Sequence, residues 1–400
     1  VSKWEWVKLG DVCEMNPPKK ELASVDPKVE VSFVPMADLQ ANQIHFEVRD
    51  AKKLCEVIKG YTYFKNNDVL LAKITPCFEN GKSGVVTNLV NGIGFGSTEF
   101  IVFRPGEKVL PEWIYYCISN NKFLNAGKNN MTGSAGQQRI SQKFIKDYKI
   151  PIPSVEEQKK IAKTLDTVAK IIKLRKKQLV ELDNLIKSTF YDMFGDPGIN
   201  PRGYAVVPMD KIIDYIGDIG SNGANATVSA NLKMTDKEDY ALMVRTLNFT
   251  SNNFKNNIKF VSKEVYNFFK KSQIFGGELI FNKIGSAGIN FIMPYLNRPV
   301  SLGLNQIMVR TNEKVNIMYL HTLLNTDHGK HQINRRIQGA VTKSITKGAI
   351  KEMPILLPMI KLQNQFAEII TKVEEQKALV QEALNESQYL FDSLMSEYFE

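Results

Sequence analysis

Lysine, arginine and glutamine gather beside glycines in four stretches of this 400-residue chain, a combination suited to holding phosphates and reading base edges. In "AKITPCFENGKSG" (72–84), Lys73 closes an apolar run and Lys82 sits among glycines. In "NKIGSAG" (282–288), Lys283 closes a second run and Ser286 follows between glycines. Glycine lets backbone N–H groups come close to phosphate oxygens, and lysine supplies a point charge. "TGSAGQQRIS" (132–141) adds Gln137, Gln138 and Arg139, while "NRRIQGAVTKS" (334–344) adds Arg335, Arg336, Gln338 and Lys343. Glutamine can bond adenine through two hydrogen bonds, and arginine can do the same with guanine. The DNA-contact candidates are Lys73, Lys82, Gln137, Gln138, Arg139, Lys283, Ser286, Arg335, Arg336 and Lys343. For each, the competing account is ordinary surface polarity or a hydrogen bond that braces a loop.

Catalytic motifs fare worse. "NPPK" (16–19) has the start of the Asn-Pro-Pro-aromatic tetrad with which amino-methyltransferases hold a flipped base. Lys19 replaces the ring that would stack on that base, and nothing upstream reads as a cofactor domain. "GIGFG" (92–96) runs into the strand pattern "STEFIVF", whereas a dinucleotide phosphate needs a helix N-terminus there. "GKS" (81–83) has Pro76 where a P-loop has its first glycine, and it too enters a strand pattern. His321, His328 and His331 invite a metal reading, but no carboxylate or cysteine at fitting distance completes the HxxH. Ser134 and Ser286 each sit in "GSAG", without the elbow of a hydrolase nucleophile. The expectation is a chain without a catalytic site, cofactor or metal of its own.

The elements that would carry the polar loops occur twice. "NDVLLAKITP" (67–76) sits opposite "GELIFNKIGS" (277–286), "FIVFRP" (100–105) opposite "QIMVRT" (306–311), and "EWIYYCISNN" (112–121) opposite "IMYLHTLLNT" (317–326). "GQQRIS" (136–141) faces "VTKSIT" (341–346), and "IPIPSVEEQKKIA" (150–162) faces "ILLPMIKLQNQFA" (355–367). The offset stays between 205 and 210 residues and the order never changes. Such colinearity marks a tandem duplication, each half a mixed domain followed by a long helix. Strands are expected at Val69–Ile74, Val85–Val90, Phe100–Phe103, Leu279–Ile284 and Ile307–Val309, and short helices at Trp113–Ser119 and Met318–Leu324. The Asn- and Gly-rich stretches 121–136 and 217–231 read as loops.

Ser154 and Glu157 have the spacing of a capping box. Ile161, Leu165, Val168, Ile172, Leu179, Leu182, Ile186 and Met193 then step by threes and fours, with Arg175 and Thr189 as polar exceptions. Phe366, Ile369, Val373, Val380, Ala383, Leu390 and Leu394 repeat the pattern around Gln376 and Ser387. Sustained heptads of this kind predict a coiled coil. Charge of +3 on 154–193 against −5 on 360–400 pairs the two helices, and the duplication makes that pairing antiparallel.

The net charge of +10 points to an anionic partner, because the basic excess lies in the two mixed domains. Cys13, Cys55, Cys77 and Cys117 form no CxxC, which argues against a disulfide framework or a zinc ribbon. No run approaches 18 apolar residues and no leader pattern opens the chain, so a cytoplasmic location without membrane contact is expected.

Together "TGSAGQQRIS", "IKDYKIPIPSVEEQKKIAKTLD", "DVLLAKITPCFENGKSG", "GSTEFIVFRP" and "LIKSTFYDMFGDP" resemble the specificity subunits of type I restriction–modification systems, over essentially the whole chain. The resemblance implies a mixed α/β fold of two target recognition domains, 1–152 and 197–358, related by a pseudo-two-fold repeat. Conserved spacer helices at 153–196 and 359–400 would separate them as an antiparallel coiled coil. It also implies a non-catalytic subunit whose domains each read one half of a bipartite, asymmetric site in double-stranded DNA. The helices would dock two methyltransferase subunits, joined by endonuclease/translocase subunits, and S-adenosylmethionine, ATP and magnesium would belong to those partners. "MIKLQNQFA" and "VTKSITKG" depart from the family pattern, so contacts do not transfer residue for residue into the second half. A self-contained DNA methyltransferase or nuclease, and a non-specific coiled-coil DNA scaffold, are the alternatives.

Overall fold

The computed structural model describes residues 4–134 and 136–399. Contacts divide the chain into two compact units, Val1–Lys177 with Gln381–Glu400, and Gln178–Val380. Each long helix is therefore shared between the units.

In the first unit, one four-stranded sheet runs in the order Cys13–Met15, Phe100–Pro105, Val69–Ala72, Ser83–Val85. A second sheet runs Asp50–Lys53, Glu30–Val34, Ile93–Gly96, Thr62–Lys65, with its middle pair parallel. Alternation along the central strands explains the layers. Val69, Leu71, Ile101 and Phe103 point to a core shared with Trp113, Phe123 and Leu165. Leu70, Ala72, Phe100 and Val102 point the other way, into a core with Val34 and Phe64 of the second sheet. A strand covered on both faces has no polar side, which is why these segments read as unbroken apolar runs.

The second unit repeats this wiring. Its sheets run Ile213–Asp218, Gln306–Thr311, Leu279–Asn282, Asn290–Ile292 and Lys259–Val261, Ala241–Val244, Val300–Leu302, Gln273–Ile274. Each sheet order is the first unit's order transposed, and a short antiparallel pair closes each domain, Glu5–Lys8 with Lys149–Ile152 and Ala205–Pro208 with Pro354–Leu357. The expected duplication is a duplication of topology.

The long helices span Val155–Phe194 and Ile360–Phe399. Ser154 Oγ accepts from the Glu157 N–H at 3.3 Å and the Glu157 carboxylate accepts from the Ser154 N–H at 3.4 Å, the expected capping box. Inside the first unit the helices pair antiparallel: Phe399 packs its ring tilted against Trp113 near the start of the first helix, while Arg175 further along it donates to Ala383 O and Ser387 Oγ. The second unit shows the same sense, with Asp183 joined to Lys377 and Phe190 against Phe366.

Some expected boundaries move. The strand expected at Val85–Val90 ends at Val85, because Asn88 and Asn91 take left-handed backbone (φ 57° and 53°) and turn the chain away. The stretches 121–136 and 217–231, expected as loops, contain helices Asn121–Lys128 and Asn225–Asn231. Asn120 Oδ1 caps the former by accepting from the Phe123 N–H at 2.8 Å. Gly127, which lowers its helix propensity, is there because a Cβ would lie 2.3 Å from the buried Phe78 ring. On the second long helix, Ile369 and Leu390 stay exposed while Ile370, Leu384 and the partly buried Phe391 pack instead. The seam carries Lys377 and Ser387 at its polar positions, and this shifts the apparent apolar phase in the sequence.

Candidate nucleic-acid interface

Each central strand is followed directly by a lysine held by the same backbone geometry. Lys73 N donates to Glu99 O at 2.8 Å and its carbonyl accepts from Ile140 N at 3.0 Å; Lys283 N donates to Asn305 O at 2.7 Å and its carbonyl accepts from Ile345 N at 3.0 Å. These bonds dock a polar turn beside each lysine. The first is the hairpin in which Met131–Thr132 pairs with Arg139–Ile140; the second is closed by reciprocal bonds between Gln338 and Ser344, at 2.9 and 2.8 Å. Lys73, Gln138 and Arg139 therefore cluster in one unit, and Lys283 lies beside Lys343 and Ser344 in the other.

The side chains differ from their backbones. Lys73 Nζ donates to the neutral Thr98 carbonyl at 2.7 Å. Lys283 Nζ instead meets Asp218 at 2.8 Å, and Lys347 Nζ meets the other carboxylate oxygen at 2.9 Å. Asp218 keeps only 5% of its side chain exposed. Burial alone would raise its pKa, but the bonds from Lys283, Lys347 and Ser221 outweigh it and hold the carboxyl at about 2, below its ordinary 3.8. The charge of Lys283 is thus compensated inside the fold.

Arg139 grips Glu99 with Nε at 2.9 Å and a terminal nitrogen at 2.8 Å, which holds the Glu99 carboxyl below its usual range. Its forked face must leave Glu99 before it can read a base. The Gln138 backbone is tied to Thr75, whereas Gln137 is exposed. Lys82 reaches Met36 O at 3.3 Å. Ser286, Arg335 and Lys343 are exposed, and Arg336 is folded back onto Gln332 and Glu352. Of the candidates, Lys73, Gln137, Gln138 and Arg139 form one compact group; Arg336 braces a helix.

The catalytic motifs also find their places. "GIGFG" is largely the strand Ile93–Gly96, and Ser83 of "GKS" opens the strand Ser83–Val85. His321 is largely packed away, with Nε2 3.3 Å from Asn290 O, and burial pushes its pKa down. Among the described residues no three His, Cys, Asp or Glu side chains gather as a metal group would require. No helix among them is long and apolar enough to cross a membrane.

Several duplicated positioning residues are invisible to a search for catalytic or basic motifs. Gln158 and Gln363 are fully buried at the start of the two long helices. Gln158 accepts from Leu110 N at 2.9 Å and donates to Lys108 O and Pro153 O; Gln363 accepts from Asn316 N at 2.8 Å and donates to Lys314 O and Pro358 O. Arg104 bonds the buried Asp68 at 2.9 Å, and Arg310 bonds the buried Glu278 at 3.3 Å. Each pair recurs at the repeat offset, the one sequence signal that could have singled it out.

Comparison with known proteins agrees with the repeat. A family model described as type I restriction modification DNA specificity domain matches residues 1–184 and again 214–387. The EcoEI type I restriction enzyme specificity subunit of Escherichia coli is 38% identical over 182 residues, 45% of this chain and 30% of that protein. The EcoAI specificity subunit of the same organism is 39% identical over 159 residues, 40% of this chain and 26% of that protein. Both alignments span less than a third of the relatives' length. The MjaVIII specificity subunit of Methanocaldococcus jannaschii is 21% identical over 398 residues, 93% of this chain and 86% of that protein. The crystal structure of the S subunit of a type I restriction–modification system from M. genitalium covers 100% of this chain and 97% of its own, at 13% identity and a TM-score of 0.59, and shares its fold.

Proposed function

Since the chain belongs to the type I restriction modification DNA specificity family, we propose that it is the DNA-recognition subunit of such a system and that each repeated domain reads one part of a bipartite site. The observation that carries this reading is the repeated polar turn docked by the same backbone bonds beside the end of each central strand, presented twice by one topology. The family is one of recognition rather than catalysis. S-adenosylmethionine, ATP and magnesium belong, on this reading, to methyltransferase and endonuclease subunits. The long helices are the surface for the methyltransferase, since Leu174 (55% exposed) and Val180 (57% exposed) leave apolar side chains uncovered on them. They also set the spacing of the two half-sites.

The decisive experiment exchanges residues 1–150 for the corresponding domain of a relative and maps methylated adenines across the host genome. One half of the methylated site should change and the other should stay. A change in both halves, or in neither, would sink the reading. Saturable binding of S-adenosylmethionine by the chain alone would favour a self-contained methyltransferase instead.

A further inference from the structure

The two copies diverge around the strand-end lysine in a way that exposes a binding site. Registers are comparable because Arg104 and Arg310 hold the equivalent buried acids Asp68 and Glu278. Counting from them along the paired edge strands, Asn16 bonds Val102 as Gly217 pairs with Met308, which puts Pro17 where the second copy has Asp218. In the second copy that carboxylate sits between two ammonium groups. In the first copy the carboxylate is missing and Gln142 stands where the second copy has Lys347, and an open pocket of about 240 Å³ remains, lined by Asn16, Pro17, Lys19, Tyr63, Lys73 and Thr98 among others.

Two cations line this pocket and hydrogen-bond to carbonyls alone, Lys19 Nζ also lying 5.3 Å from the centre of the Phe95 ring. Lys19 Nζ donates to Ile58 O at 2.7 Å and Tyr61 O at 2.8 Å, and burial lowers its pKa. Lys73 Nζ donates to Thr98 O. An ammonium has three N–H donors, so Lys19 keeps one and Lys73 two without a hydrogen-bond acceptor among the described residues. Lys73 and the Glu99 carboxylate attract each other, but Arg139 already engages both Glu99 oxygens. Neither lysine forms an ion pair among the described residues.

We propose that this pocket binds a phosphate group, filling the place that the Asp218 carboxylate takes in the second copy. Phosphate matches the free donors in charge and in number of acceptors, and the domain that lacks an internal anion takes one from outside. The site is consequently a property of the first copy alone. Its occupant is either a backbone phosphate of DNA or a soluble phosphate. A DNA occupant would rest on the proposed recognition role, whereas the test on inorganic phosphate reads the pocket by itself, so the two can fail separately.

The test follows line broadening of inorganic phosphate by phosphorus NMR on the full chain at fixed ionic strength. Wild type should show saturable broadening. Lys73→Ala and Pro17→Asp, the latter importing the second copy's carboxylate, should each weaken it about tenfold or more, as loss of a hydrogen bond to a charged group predicts. Lys28→Ala, an exposed lysine elsewhere on the same domain, should leave it unchanged. Tryptophan fluorescence checks that Pro17→Asp is folded, and Lys73→Ala supplies the answer if it is not. Adding a short DNA duplex of unrelated sequence identifies the source: release of the bound phosphate assigns the pocket to the DNA backbone, and retention assigns it to a soluble phosphate. Absence of saturable broadening, broadening retained by Lys73→Ala, or an equal loss in Lys28→Ala would overturn the proposal.

Discussion

Replacing Asp218 by asparagine removes one charge from a site in which two lysines depend on it. The variant keeps the size of the side chain, so packing is preserved and the electrostatic part is isolated. Holding a carboxyl at about 2 instead of 3.8, at about 1.36 kcal/mol per pKa unit, corresponds to about 2 kcal/mol of stability at neutral pH. The sign follows from the depressed pKa: the contribution is complete above the unfolded value and disappears as pH falls through the folded one. Linkage leaves about half of it at pH 3. Hydrogen exchange read on peptides covering 213–222 and 279–286 localises the effect to the second unit. All three tryptophans, Trp4, Trp6 and Trp113, lie in the first unit, so their fluorescence serves as an internal control for unfolding there. Asp218→Asn should speed exchange in those peptides at pH 7, by an amount that shrinks as the pH is lowered toward 3, and should leave the tryptophan transition in place. A difference between variant and wild type that does not depend on pH would refute the argument, because the carboxylate charge would then not be what stabilises the site.

Lys73→Ala should lower the salt slope of DNA binding by about 0.9, the value for one phosphate contact, while Lys283→Ala should change it far less because Asp218 already compensates that charge; equal slopes for the two variants would contradict this. Gln158→Leu and Gln363→Leu should each cost about 1–3 kcal/mol in urea unfolding, since a backbone N–H and two carbonyls lose their buried partner. Breaking the buried pair by Arg104→Met should cost about 3–5 kcal/mol, and adding Asp68→Asn should recover part of it in a double-mutant cycle.

Much of the architecture is legible in the amino-acid order. Strands such as Val69–Ala72 and 279–281 must be apolar throughout because helices cover one face and the second sheet the other, and the repeat preserves that run. The seam of the first long helix is legible for the same kind of reason, since Leu165, Val168 and Ile172 recur at helical spacing and are all buried. Local chemistry also carries the capping box at Ser154 and Glu157. Where local signals conflict with burial, tertiary structure wins: Gly127 sits in a helix because a ring lies against it, and Ile370 replaces Ile369 in the seam.

The candidate interface divides along the same line. That Lys73 and Lys283 directly follow equivalent strands is written in the sequence, because the apolar run before each marks where the strand runs. What each lysine can bind is not. Lys283 is compensated by Asp218, 65 residues earlier in the chain, and Arg139 is engaged by Glu99, 40 residues away. Short-range patterns determine the elements, since helix and strand periods act over a few residues. Charge compensation acts through space over a few ångströms, so only the folded chain decides which of two matching lysines is left with a site to fill.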